Sequence, residues 1–334
     1  MPRNLLLPIT LQNTALPRLL PGPMDGISEG SFISAMSSRG WVSAWWTPFL
    51  RISTGVPRMA RLQNWLQPYL DSGLPVVAQI MGIHSERLAE TARRLFLLGA
   101  AGVDLNCACP SPTVLANGSG GACLLDPEWI SRTLLLLREK CGPRLLSCKI
   151  RAGYHSPAEI PALAAALRRG QPDLLTVHYR TVREMYQPIP DGWERLRCFR
   201  ELLPGLALFG CGDIRTPQDA LQMYSATRID GLLVARGLLS NPGLLRDIAL
   251  QCQGIPPVPV SEREKIAFLR DLSRPAAGYS ARSPNGFVLR LAGTLFGPDS
   301  QLFARLVQLR KLGPTWDYLG EILQQPCCSD NQKQ

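Results

Sequence analysis

Several short apolar runs in this chain end in residues that a packed strand has no structural need to carry. Gln79 lies in one, Asn106-Cys107-Ala108-Cys109 closes another, and Lys149 and Arg151 close a third. His178 ends the next run, Gly210-Cys211-Gly212-Asp213 and Ala235-Arg236-Gly237 follow the last two, and Pro23-Met24-Asp25 follows the first. A strand buried on both faces reads as continuous apolar sequence, so Lys, Gln and His at such ends point to a site. Donors from Gln79, Lys149 and His178 on adjacent strand ends would suit an anionic ring edge, such as the N1/O2 edge of a reduced flavin. Cys109 sits in a loop before Pro110, where a thiol can donate a proton to carbon or act as a nucleophile. The commonest fate of a cysteine, a small buried hydrophobe, is the competing reading. Cys107, Cys109 and Cys123 as metal ligands lack a paired Cys-x-x-Cys spacing, so no metal is expected.

The elements that must hold these residues follow from the apolar runs. Eight β-rich runs occur, at Leu19 to Met24, Trp45 to Ile52, Val76 to Met81, Gly102 to Asn106, Leu145 to Ile150, Leu174 to His178, Leu206 to Gly210 and Gly231 to Val234. Helical patterns lie between them; Leu88, Ala89, Ala92, Leu95 and Phe96, for example, recur at helical spacing and stop at Gly99. From Val76 the runs start roughly thirty residues apart, the length of a βα unit. Eight such units predict an α/β fold, a (β/α)8 TIM barrel, with its site at the carboxyl ends of the strands. The Gly-containing turns after the last two strands then fit a phosphate cradle, to which Arg236 adds a charge-assisted bond. A Pro-rich link, Gly254-Ile255-Pro256-Pro257-Val258-Pro259, precedes a helical tail. The expected organisation is a catalytic barrel over 1–250 and a C-terminal helical bundle over 260–334, frayed from Cys327 onward.

Composition excludes several classes. With 46% hydrophobic and 19% charged residues over 334 positions, the chain is too apolar for disorder. No apolar run reaches the ~18 residues of a spanning helix, so a cytoplasmic protein without membrane contact is expected. Ten cysteines scattered through such a chain read as reduced thiols. A net charge of +10 favours a polyanionic partner such as nucleic acid; a basic surface that merely aids solubility is the plainer reading.

The segment Val103 to Val114, then Asn117-Gly118-Ser119-Gly120-Gly121-Ala122, resembles the signature of the tRNA-dihydrouridine synthases, the DusC-type subfamily in particular. Pro23-Met24-Asp25-Gly26, Gln79-Ile80-Met81-Gly82, Cys148 to Gly153, His178 to Thr181, Gly210 to Ile214 and Ala235-Arg236-Gly237 support it, in family order over about 19 to 245. The resemblance implies an FMN enzyme that reduces the C5–C6 bond of a tRNA D-loop uridine with NADPH, at position sixteen if the subfamily sets the target. It implies Cys109 as the proton donor to C5. Arg51, Asn106 and Arg151 would hold the extruded base. Pro23, Met24 and Asp25 would lie against FMN, with Gln79, Lys149 and His178 at its polar edge, and Cys211, Gly212, Asp213, Ala235 and Arg236 near its phosphate. The tail, with Arg270, Arg274, Arg282, Arg290, Arg305, Arg310 and Lys311, would touch tRNA, and the protein would act as a monomer. Cys211 stands where the family usually has Asn, Tyr179 and Ala235 where it has Gly, and Pro112 where it has Lys. The changes at Cys211 and Tyr179 imply a weaker or tilted FMN. A flavin barrel acting on a free pyrimidine or enone, and a tRNA-binding protein with a weakened flavin site, remain the alternatives.

Overall fold

The computed structural model describes residues 3–273, 284–310 and 315–324. The chain opens with an antiparallel hairpin, β1 (Ile9–Leu11) and β2 (Thr14–Leu16). Its turn residues Gln12 and Asn13 both take positive φ, 46° and 62°, the geometry that matches strand twist in a two-residue hairpin. Strands β3 (Leu19–Pro21), β4 (Trp45–Trp46), β5 (Leu50–Ile52), β6 (Val76–Gly82), β7 (Gly102–Cys107), β8 (Leu145–Arg151), β9 (Leu174–His178), β10 (Ala207–Cys211) and β11 (Gly231–Val234) follow. They pair in parallel in the order β3-β11-β10-β9-β8-β7-β6-β4, with β5 also on β6. The result is the expected TIM barrel, nearly closed, whose last seam brings β3 beside β4.

Period-two alternation fills the barrel. Trp46 faces the interior with Leu20, Val77, Leu145, Leu174, Phe209 and Leu233, while its neighbour Trp45 faces outward among Phe32, Leu66 and Tyr69, as successive strand residues must. Ile9 and Leu11 of the hairpin pack on the inner cluster. Val77, Leu145 and Leu174 are first or second residues of their strands, so the hairpin plugs the amino end and leaves the carboxyl end for chemistry.

The barrel helices are α1 (Ser31–Ser37), α2 (Met59–Leu70), α3 (Ser85–Leu97), α4 (Pro112–Leu115), α5 (Pro127–Cys141), α6 (Ile160–Gly170), α7 (Gly192–Leu202), α8 (Pro217–Thr227), α9 (Gly237–Ser240) and α10 (Leu244–Cys252). Amphipathic pattern and caps explain them. Leu88, Ala89, Ala92, Leu95 and Phe96 of α3 are all buried, and α8 starts on a capping box of Thr216 with Asp219. Residues 255–261 carry no regular structure. The tail then forms α11 (Glu262–Ser273), α12 (Pro284–Phe296), α13 (Gln301–Arg310) and α14 (Thr315–Gln324). Helix α11 docks on the α1 region: Phe268 meets Phe32 and Trp41 at 5.8 and 5.4 Å, and Arg39 pairs with Asp271 at 2.7 Å. Among the described residues no helix is long and apolar enough to cross a membrane.

Two details depart from expectation. The hairpin leaves no mark in the sequence pattern, because its strands have three residues each, too few for a periodic signal. The run Trp45 to Ile52 is two strands, not one. Regular bridging stops after Trp46 and resumes at Leu50, although the Thr47 N–H still donates to Val77 O at 3.0 Å. There the Thr47 hydroxyl accepts from the Gln79 N–H at 2.9 Å in place of a backbone carbonyl.

Candidate active site

A cavity of about 840 Å³ opens at the carboxyl ends of the strands, where this architecture places its sites. Beneath its floor runs a chain of buried side-chain hydrogen bonds. Ser147 Oγ donates to Asp104 Oδ1 at 2.6 Å, Gln79 Nε2 donates to Asp104 Oδ2 at 2.7 Å, and Asn106 Nδ2 donates to Gln79 Oε1 at 2.7 Å. Asn106 Oδ1 in turn accepts from the N–H groups of Ala108 and Cys109, at 3.0 and 3.1 Å. Each amide is thereby oriented without ambiguity, since every oxygen meets a donor. The parallel register sets this up by placing Gln79 beside Asp104 and Asn106 beside Lys149. Burial raises the Asp104 carboxyl above its ordinary value, against the bonds from Ser147 and Gln79 and the charge of Lys149.

The loop after β7 carries Cys109 into the cavity wall. Its thiol is partly buried, and desolvation raises it above the ordinary cysteine value, with Asp25 adding to the rise and Lys149 and Arg151 opposing it. The thiol is therefore held in its protonated form at neutral pH. The glycines of Asn117 to Gly121 make room for this loop. The Gly121 N–H donates to Cys109 O at 2.9 Å. A Cβ on Gly121 would lie 2.6 Å from Val182 Cγ2, and one on Gly120 2.6 Å from Val114 Cγ1.

Across the cavity stand the cations. Lys149 lines the wall with no hydrogen-bond or ion-pair partner among the described residues. The Arg180 N–H donates to His178 Nδ1 at 3.3 Å, which leaves Nε2–H as the donor of a neutral ring. Burial pushes this imidazole well below its ordinary value, helped by Arg151, Lys149, Arg180 and Arg236. Arg151 is 2% exposed and spends its guanidinium on Ala108 O, Thr181 O and Met185 O, at 2.9, 2.9 and 2.8 Å. It thus ties the Cys109 loop to the loop after β9. Asp213, at φ 44°, bonds Arg180 and, at 2.6 Å, Arg236. Burial alone would raise its carboxyl, but these two arginines hold it below the usual range.

The loop after β9 is braced from below. Arg195, 6% exposed, pairs with Glu184 at 2.6 Å and Asp191 at 2.9 Å, and the Thr181 N–H donates to Glu184 at 2.7 Å. Bonds from Arg195 lower the Glu184 carboxyl to about 2. This bracing presents Met185 and Tyr186 to the cavity. The Tyr186 ring lies 4.6 Å from the Arg236 guanidinium carbon and 5.4 Å from that of Arg151.

Every residue anticipated for catalysis, for the flavin or for the base lines this cavity except Asn106. Asn106 sits behind the wall with both ends of its amide engaged, so it orients the Cys109 loop instead of facing the cavity. Tyr179 does not enter the cavity either. Its ring packs under the following turns, where a Cβ on Gly212 would approach Cε1 to 2.4 Å, and its hydroxyl donates to Asp213 at 3.2 Å. Cys107 lies in the core beside Cys123 and Cys148, apart from the Cys109 thiol. Sequence reasoning missed Tyr186, Met185 and Phe49, which also line the cavity; an aromatic residue just past a site-bearing strand was the available signal for Tyr186. It also missed Asp104, because a mid-strand aspartate carries no sign of its partners.

Solved structures share the barrel. The old yellow enzyme from Trypanosoma cruzi superposes with a TM-score of 0.56 at 11% identity, covering 78% of this chain and 95% of that one. A variant of NCR from Zymomonas mobilis gives 0.55 at 16%, covering 77% and 93%. At such identities the likeness concerns the fold alone. In sequence, the chain is 35% identical to the tRNA-dihydrouridine(16) synthase of Escherichia coli K12 over 236 residues, 69% of this chain and 74% of that protein. It is 34% identical to the protein of the same name from Haemophilus influenzae over 191 residues, 57% of this chain and 61% of that protein. The match to the Haemophilus protein thus spans less than two thirds of its length. The family model for dihydrouridine synthase matches residues 20–281, which takes in β3 from its second residue, every later strand and the cavity they end in; the chain belongs to the dihydrouridine synthase family.

Proposed function

We propose that this protein is an FMN-dependent reductase that converts a tRNA D-loop uridine, at position sixteen, to 5,6-dihydrouridine with electrons from NADPH. One observation carries the reading: within a dihydrouridine synthase sequence, the Cys109 thiol shares one cavity with Lys149, His178 and Gln79. The relatives named for position sixteen support the target. The cavity suits the cofactor in size, being within the ~300–1,000 Å³ of small-molecule sites. Its donor set suits it too: an unpaired ammonium at Lys149 and a neutral Nε2–H at His178 would hold the ring's polar edge, with Gln79 beside them. Pro23, Met24 and Asp25 would flank the ring. Cys211, Gly212, Ala235 and Arg236 would surround the phosphate, where N–H groups and a guanidinium are the chemistry required, and Asp213 would take part by holding the Arg236 guanidinium.

Reduced FMN, when bound, supplies hydride to C6 of the uracil. The protein's own part is to hold the base and deliver a proton to C5 from the opposite face, and Cys109 carries that proton on a thiol kept neutral by burial. Arg51 holds the polar edge of the extruded base, and Arg151, whose Nε and Nη1 are taken by carbonyls of the two flanking loops, has only Nη2 left to offer it. Asn106 acts through the loop that aims the thiol. Residues 1–250 are the catalytic barrel and 260–334 a helical unit touching tRNA, with Arg270, Arg290 and Arg305 as candidates. The side chains of Arg274, Arg282, Arg310 and Lys311, and the end from 325 to 334, lie outside the described residues. The protein acts as a monomer in the cytoplasm.

The test is to express the chain in cells lacking their own enzyme for position sixteen and to map dihydrouridine in their tRNA. Restored dihydrouridine at that position, with flavin absorbance in the purified protein, is the expected result. Dihydrouridine elsewhere would change the target, and a colourless protein that makes none would sink the reading.

A further inference from the structure

We infer that the cleft formed by Arg51, Arg58 and Arg61 is a phosphodiester subsite that grips the RNA backbone beside the extruded uridine. The inference rests on the tRNA reading above. The cleft measures about 330 Å³ and is lined by Arg51, residues 53 to 58 and Arg61, three of them arginines and none acidic. Arg51 belongs to the walls of both this cleft and the large cavity, so the two adjoin at this side chain.

Local structure explains why the three charges are available. Leu50 and Ile52 are buried, 7% and 2% exposed, which leaves Arg51 as the residue of β5 that turns toward the rim. Arg58 precedes α2 in an extended conformation and makes no side-chain cap, and the first turn of α2 holds no acidic residue. Neither Arg58, Arg61 nor Arg51 has an ion-pair or side-chain hydrogen-bond partner among the described residues. Most other arginines of the barrel are engaged, and two of them shape this loop: Arg87 donates to Ser53 O at 2.5 Å and Arg94 to Pro57 O at 2.9 Å. The loop is thus fixed by guanidinium bonds to its carbonyls while three further guanidiniums stay unpaired on one side of it.

An unpaired cationic cleft of this kind takes phosphate oxygens. A nucleotide whose base fills the main cavity must leave its two phosphates at the mouth, and Arg51 spans that boundary. Arg58 and Arg61 then each receive one of the next two phosphates along the strand. Phosphates of the dinucleotide reductant share this chemistry and are the rival occupant.

The test compares holoenzyme with Arg58→Ala/Arg61→Ala, using unmodified tRNA as the probe and titrating salt. Loss of two phosphate contacts lowers the slope of log affinity against log salt by about 1.5, with weaker tRNA binding and an unchanged rate of flavin reduction by NADPH in the absence of tRNA. Arg228→Gln, an exposed arginine before β11 at the amino end of the barrel, is the control and keeps the parent slope. An unchanged slope in the double variant overturns the proposal, as does an unchanged slope with a raised KM for NADPH, which would give the cleft to the dinucleotide. Should the double variant fail to fold, the single Gln variants each lower the slope by about 0.7. If the parent binds tRNA with this slope yet forms no dihydrouridine, the enzymatic reading falls and the phosphate subsite stands.

Discussion

The side-chain oxygen of Asn106 accepts the backbone N–H of Cys109 at 3.1 Å, and that of Ala108 at 3.0 Å. One buried amide therefore sets the direction in which the loop carries its thiol.

Asn106→Ala removes that acceptor and also leaves Gln79 Oε1 without its donor. Stranded buried groups of this kind cost about 1–3 kcal/mol each. We expect a folded, flavin-retaining protein with a lower melting temperature and at least a tenfold drop in dihydrouridine formation. A variant with full turnover would show that the loop needs no such anchor.

Cys109→Ala should keep flavin absorbance and NADPH oxidation while losing the tRNA product. The thiol must be protonated to act as an acid, and burial raises its pKa above the ordinary cysteine value. Turnover should therefore hold through neutral pH and fall only on the alkaline side, beyond the ~8.5 of a free thiol. A pH–rate profile of product formation reads this directly. A decline centred below pH 8 would assign the limb to another group.

Glu184 braces the loop that presents Tyr186. Its carboxyl is lowered from 4.5 to about 2 by the bonds from Arg195, so its contribution is present above pH 4.5 and is lost as pH falls toward 2. Glu184→Gln should lower the urea midpoint at pH 7, and the gap to the parent should close between pH 4.5 and 2. Parallel curves across that interval would rule out the pair as an acid-labile brace.

Gly121→Ala places a Cβ 2.6 Å from Val182 and 3.0 Å from Cys109 O. Overpacking of this sort costs about 1–3 kcal/mol, and here the strain falls on the Cys109 loop. Turnover should drop more than flavin content does. Equal losses of both would mean that the substitution only unfolds the protein.

The sequence by itself determined the barrel and the residues at its mouth. Eight apolar runs at βα spacing fix parallel strands, and polar residues at the ends of such runs can only gather at one rim; Gln79, Lys149, His178 and Cys109 were legible for that reason. Strand bounds such as Leu174–His178 and Gly231–Val234 followed from the same pattern. Tertiary structure alone decided which of those side chains reach the cavity. Asn106 turns its amide to Gln79 and the Cys109 loop because lateral register brings them within hydrogen-bond range, and Tyr179 goes beneath Gly212 because that turn has no Cβ. Asp104 and the three unpaired arginines of residues 51 to 61 acquire meaning only from neighbours far away in the chain or from the lack of them. Spacing along a sequence encodes periodicity and burial, whereas hydrogen bonding and charge pairing depend on distances that exist only after the strands have closed.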